Sequence, residues 1–317
     1  MPPASPSTPK RDAYRRVTRA VRHNRLTAFR LLAGALLVCV GLYASLDAWR
    51  EIFFEYAWGN EEYTHIFVVP FVAALLIYVR RMRLRHFQIS GTLVGPLLVI
   101  AGLAMNFAGY QRGIQVMLHS GGVLVALGCA VSVLGKNAIL RFLPAVLVLA
   151  FLIPVPGKFR LEIAIQLQNW TAQIAHILLN TIGFPTEVTG STLAINGRPV
   201  IIAEACNGMR SVFLLLLLAF AFAFALPLRN SVRMVLLLVS PIVALASNVF
   251  RTLPTILMYG YAPDWFTNPE TGKWLALQFH NLAGWAMYVV SFLIWLGIVW
   301  LLRWTQLPIQ RYTLASQ

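Results

Sequence analysis

The sequence predicts an all-α polytopic membrane protein of about eight transmembrane helices, N-in and C-in, with a small extracytoplasmic β-hairpin and an interfacial helix between helices 5 and 6. Three observations carry this. The 317 residues are 58% hydrophobic and only 12% charged, with a mean hydropathy of +0.69, whereas ordinary soluble domains carry roughly 25% charged residues. Apolar runs close to the ~20 residues needed to cross a hydrocarbon core recur along the whole chain. Finally, about 18 of the 26 basic residues fall in alternate connections, and all the acids except Asp12 fall in the others. That bias sets orientation by the positive-inside rule.

Taken in order, residues 1–30 form a basic tail, Pro/Ser-rich at first and expected to be disordered before it meets the cytoplasmic membrane surface. The first run, 31–47, has acidic and aromatic sequence directly after it and no small-residue cleavage site, which reads as an anchor and not a removable signal peptide. Further runs lie at about 65–79, 92–108, 116–134, 139–155, 211–227, 232–253 and 280–302. The membrane domain therefore covers 31–303, with an extracytoplasmic insertion at 156–206 and a cytoplasmic tail at 304–317. The net charge of +15 follows the cytoplasmic side, so it argues for anionic lipid and against nucleic acid as the partner.

Inside the insertion, residues 158–182 mix apolar positions such as Leu161, Ile165, Trp170 and Ile174 with Gln166, Gln168, Asn169 and His176. This pattern predicts a helix lying at the outer interface or partly inserted. The texture then changes to β-formers on either side of Asn196-Gly197, a favoured two-residue hairpin turn. The hairpin delivers the chain to "AEACNGMR", where the sixth helix begins.

Three cysteines are too few for a disulfide framework. Cys39 and Cys129 sit mid-run and read as small buried hydrophobes. Cys206 sits at or beside a helix N-cap with Arg210 one turn on, a setting that favours the thiolate; the plainer reading is a cysteine packed at a helix start, with Arg210 reaching the interface. Arg251 lies a turn beyond Asn248 near the outer end of the seventh run, where Pro254 is expected to bend or fray the helix. A snorkelling arginine is the alternative there. His280 opens the eighth run and is placed to accept a proton, although a lone interfacial histidine is more often structural. The three share one side of the membrane on successive helices, and together they suffice for acyl transfer: a nucleophile, a proton carrier and a forked donor for an oxyanion. Glu204, Arg210, Asn248 and His65 are candidate supports. No HExxH, Walker loop, GxGxxG or Ser-His-Asp order competes, and no cofactor or metal is called for.

Over residues 60–300 the chain resembles the exosortase and archaeosortase family of membrane-embedded cysteine transpeptidases. The resemblance is carried by "YTHIFVVP", with Thr64 and Ile66 as departures, by "IPVPGKF", by "AEACNGMRS", with Asn207 and Met209 as departures, and by "NVFR" and "HNLAG". It implies a nucleophile at Cys206, transition-state support from Arg251 and acid/base work by His280, the histidine favouring the bacterial exosortase branch. It also implies location in the bacterial inner membrane, with the site facing the periplasm. Its substrates would be exported, membrane-anchored proteins with a C-terminal sorting signal of PEP-CTERM type, and the acyl-enzyme would pass to an amine acceptor or to water. The competing class is a transporter or scaffold in exopolysaccharide export. That reading expects ionisable groups at mid-helix, and His119, beside Ser120-Gly121-Gly122, is the main one.

Overall fold

A computed structural model describes residues 32–81, 92–202 and 209–261, and within the last apolar run residues 282, 286, 289–290, 292–298 and 300–301. Two compact units are present, Met1–Glu51 with Met82–Val146 and Ile52–Arg81 with Leu147–Gln317.

In the first unit, α1 (Leu32–Ala44) meets α2 (Leu46–Arg50) at a bend. Ser45 marks it, donating its hydroxyl to the Gly41 carbonyl at 2.8 Å while accepting from Trp49 Nε1 at 3.1 Å. The long helices α4 (Val94–Arg112) and α5 (Gln115–Leu134), joined by a tight turn, then pair along their length. Glycines spaced seven apart, Gly95, Gly102 and Gly109 on one helix and Gly121 and Gly128 on the other, are what allow this pairing, because seven residues are nearly two turns and keep them on one face. A Cβ at Gly102 would stand 2.8 Å from the Val125 backbone nitrogen and 2.9 Å from the Gly121 carbonyl oxygen. Lipid supplies no hydrophobic drive to push helices together, so this backbone approach and the hydrogen bond from Asn106 Nδ2 to the Leu118 carbonyl (3.1 Å) hold the pair. Gly102→Val should therefore cost about 1–3 kcal/mol, read as a lower midpoint of thermal unfolding in detergent. His119, fully buried on α5, meets Glu51 Oε2 at 2.9 Å, so it is engaged by a carboxylate at a helix interface. Cys129 is buried as expected, but Cys39 is exposed: an apolar position in lipid need not face protein.

The second unit begins at Ile52, within a π-helical stretch (Glu51–Trp58), and goes on to a 3₁₀ turn, Glu61–Phe67, capped by the Asn60 side chain. Val69–Val79 follows as α3. The expected run at 139–155 is not one helix but short pieces, α6 (Lys136–Arg141), α7 (Leu143–Leu147) and a 3₁₀ turn at Val148–Leu152. Pro144 interrupts it, and Pro154 and Pro156 stop it.

Helix α8 (Gly157–Thr181) has the helical form expected of the insertion. Its packing is the reverse of an ordinary amphipathic reading. The bulky residues of the sequence pattern, Leu161, Ile165, Trp170 and Ile177, are exposed, while Ala164, Leu167, Thr171, Ala172, Ala175 and Leu179 are buried. Helices among lipid pack through small faces and turn bulky apolar ones outward.

Three short strands follow, β1 (Thr186–Thr189), β2 (Thr192–Ile195) and β3 (Arg198–Ile201), in an antiparallel meander with Thr186 opposite Ile195 and Leu193 opposite Val200. The expected hairpin at Asn196-Gly197 is present, both residues having positive φ (53° and 71°) as a type I′ turn requires. The hairpin gains a third strand because Gly190, at φ 61°, makes a second tight turn.

Helix α9 (Met209–Ala225) runs to the Pro227 break, and α10 (Asn230–Tyr261) runs 32 residues through Pro241 and Pro254. The helix does not fray at Pro254 but continues to Tyr261, so Arg251 stands in the helix interior. Side-chain hydroxyls take up backbone carbonyls near both prolines: Ser240 Oγ donates to Leu237, the carbonyl Pro241 frees, and Thr252 Oγ1 donates to Asn248 at 2.8 Å.

Among the described residues, four helical segments are long and apolar enough to cross a membrane, Glu62–Val79, Val94–Arg112, Gln115–Leu134 and Asn230–Tyr261, and the bent α1–α2 pair can make a fifth. The fold is thus a mostly helical, multi-pass membrane protein with a small three-stranded sheet. The expected fifth and sixth runs form shorter apolar helices, Leu143–Leu152 and Met209–Ala225, and the eighth lies largely outside the described residues.

Candidate active site

One buried face of α10 carries Ser240, Ala244, Ser247, Asn248 and Thr252. Arg251 sits beside it, half-buried, and its Nη2 donates to Asn248 Oδ1 at 3.0 Å. Asn248 is fully buried and in turn donates from Nδ2 to Thr171 Oγ1 on α8 at 3.3 Å. The two helices therefore meet through a polar bond in a setting without water to replace it.

The start of α9 packs at the same level. Met209, 1% exposed, clusters with Ala164 and Leu167 of α8 and with Leu245 of α10. Arg210 follows it, partly exposed. His65, buried in the Glu61–Phe67 turn, stacks on Phe213, one turn into α9, with ring centroids 5.1 Å apart and planes at 16°. Its Nδ1 lies 3.3 Å from the Glu62 carbonyl. Tyr63, His65, Phe151, Pro154, Val155 and Phe213 line a largely apolar cavity of about 230 Å³. The Tyr63 hydroxyl donates to the Val155 carbonyl at 3.4 Å, and the neighbouring Glu62 pairs with Arg160, Nη1 to Oε2 at 2.7 Å.

The sheet is fastened to the same bundle. Leu193 and Ile195 pack with Ala175 and Leu179 of α8 and Ile256 of α10. The Thr186 N–H donates to Asn180 Oδ1 at 2.9 Å, and Asn196 Nδ2 donates to the Gly260 carbonyl at 3.2 Å. A Cβ on Gly260 would stand 2.5 Å from Ile195 Cγ2, a buried atom with little room to move. Gly260→Val should therefore lift the hairpin from α10 at a cost of about 1–3 kcal/mol. The measurement is limited proteolysis, with faster cutting near 196–197 than in the wild-type chain.

The structure thus joins Arg251 to Asn248 directly, and places Arg210 and His65 around the opening turns of α9. Cys206, Glu204 and His280 lie outside the described residues. Sequence reasoning missed Thr171 and the Glu62–Arg160 pair. Thr171 had a signal: it is the polar member of a stripe of otherwise apolar residues, Ala164, Leu167, Thr171, Ala175, at helical spacing. Nothing in the sequence links Glu62 to a partner almost a hundred residues away.

Fold and site together define a multi-pass membrane protein with polar groups gathered where α8 and α10 pack together. Residues 58–297 match the family model described as transmembrane exosortase (Exosortase_EpsH), and the chain belongs to that family. No curated protein and no solved structure matches it.

Proposed function

We propose that the chain is a cysteine transpeptidase or protease that cleaves C-terminal sorting signals of PEP-CTERM type from exported, membrane-anchored proteins, working at the outer face of the bacterial inner membrane. The observation that carries this reading is a packed layer from which the three groups are about equally far along the sequence. Trp295, 3% exposed, packs against Phe222 of α9, ring centroids 4.7 Å apart, and clusters with Leu236 of α10. From that layer Cys206 is about 16 residues back along its segment, Arg251 about 15 residues on and His280 about 15 back. These similar counts along neighbouring segments of alternate direction support the reading that the three groups share one level. Cys206 is three positions before Met209, at most about 11 Å of chain, and Met209 belongs to the cluster against which Leu245, six residues before Arg251, packs.

In the proposed reaction, Cys206 Sγ attacks the carbonyl carbon before the scissile bond and His280 takes the thiol proton. Arg251 receives the oxyanion. As the C–N bond breaks, His280 protonates the leaving amine, which departs with the substrate's membrane helix. An amine or water then attacks the thioester, passing its proton to His280 and restoring the thiol. Asn248 holds the guanidinium, while Glu204, Arg210 and His65 support the site; no cofactor takes part.

The N-in, C-in orientation of eight spans draws support from contacts within each unit. Glu51 with His119, Glu62 with Arg160, and Arg80 Nη2 with the Phe224 carbonyl (2.7 Å) each join helix ends that alternation assigns to one side. The test is processing of a tagged protein carrying a C-terminal sorting signal in cells deleted for this chain. Processing should return with the wild-type gene, and the mass of the new C-terminus separates hydrolysis, a free carboxylate, from transfer, an adduct. Unchanged processing in the deletion strain would overturn the proposal.

A further inference from the structure

We propose that Thr171 is a positioning residue for Arg251, acting by fixing which way the Asn248 amide faces. This rests on the reading that Arg251 serves the transfer reaction. Three bonds run in sequence: the Thr171 hydroxyl donates to the Leu167 carbonyl at 2.7 Å, Asn248 Nδ2 donates to Thr171 Oγ1 at 3.3 Å, and Arg251 Nη2 donates to Asn248 Oδ1 at 3.0 Å.

The directions follow from the inventory of protons. A threonine hydroxyl has one proton, and here it is committed to a carbonyl one turn back on its own helix. Toward α10 the oxygen can only accept, so it selects the NH₂ edge of Asn248. That leaves the amide oxygen facing Arg251, and a guanidinium has donors only. With the amide reversed, NH₂ would face guanidinium, donor against donor, and Arg251 would be turned away. Thr171 and Asn248 are both 0% exposed, so no water can substitute for either partner. The arrangement gives α8 a task beyond packing: it holds the switch state of an amide one helix away from the group that meets the oxyanion. The Thr252 hydroxyl, bonded to the Asn248 carbonyl at 2.8 Å, steadies the same residue from its own helix.

The experiment uses full-length protein in membranes and a tagged substrate with a C-terminal sorting signal. Thr171→Val keeps the shape and removes the acceptor, and Thr171→Ser restores it. The expected result is a fall in kcat of about 10- to 100-fold for Thr171→Val, the scale of a misplaced catalytic group, with KM near wild type and a lowered detergent unfolding midpoint, because the buried Asn248 NH₂ loses its acceptor. Thr171→Ser should recover most of the rate, and in an Arg251→Ala background Thr171→Val should have no further effect. Wild-type turnover by Thr171→Val, alongside a processing defect in Arg251→Ala, would overturn the Thr171 assignment alone. Equal losses in Thr171→Val and Thr171→Ser would overturn it too, since that pattern reports packing. Normal processing by Arg251→Ala would overturn the catalytic assignment of Arg251, and this proposal with it.

Discussion

Cys206→Ala should accumulate in the membrane at wild-type levels and leave the sorting-signal substrate uncut, a rate loss on the order of 10⁴-fold or more, by analogy with removal of the nucleophile in other acyl-transfer enzymes. The remaining supports, Arg251 included, have little to act on once no covalent intermediate can form. The specificity control lies in the other two cysteines. Cys129 is buried in the α4–α5 unit and Cys39 lies exposed in the first apolar run, so neither is placed to substitute. Cys39→Ala with Cys129→Ala should process substrate normally. Substrate processing by Cys206→Ala would remove the nucleophile assignment. An impermeant thiol reagent added from outside should stop processing in the wild-type chain and leave a reagent-resistant protein when Cys206 is absent.

The second large effect is expected at Arg251. Arg251→Lys keeps a positive charge but loses the fork that lets one guanidinium nitrogen bond Asn248 Oδ1 at 3.0 Å while others point elsewhere. An ammonium that stays on Asn248 stops short of the oxyanion, and one that reaches for the oxyanion abandons the amide. Losing one such donor costs about 10²- to 10³-fold in kcat, equivalent to about 2.7–4 kcal/mol. KM should change little, because the interaction is made in the transition state. Arg251 is half-buried, and its loss leaves Asn248 bonded to Thr171, so the unfolding midpoint should stay near wild type. A raised KM with unchanged kcat would instead place Arg251 in substrate capture.

These two expectations depend on the sequence and on the structure to different degrees. Membrane residence was legible because hydropathy is additive along the chain and needs no partner. The Asn196-Gly197 turn was legible because the backbone geometry of two residues is set locally. Cys206, Arg251 and His280 could be singled out because a nucleophile, a guanidinium and an imidazole are rare in such apolar surroundings. The run at 139–155 was misread as one helix, since hydropathy alone does not register how Pro144 splits a helix. The inward face of α8 was not legible: the large residues of its pattern point outward and the alanines inward, because lipid rewards a different face from the one water would select.

By itself, then, the sequence determined the class of protein, the family motifs and the three side chains on which the chemistry is proposed to rest, all properties carried by residues singly or by near neighbours. Only the tertiary structure decided that α10 runs on through Pro254, that the hairpin is a three-stranded sheet clamped to Gly260, and that Asn248 bonds Thr171 on α8 as well as Arg251 on its own helix. Each of these turns on a contact between segments far apart in the chain. A hydrogen bond of about 3 Å depends on where two helices cross, and neither helix encodes that alone.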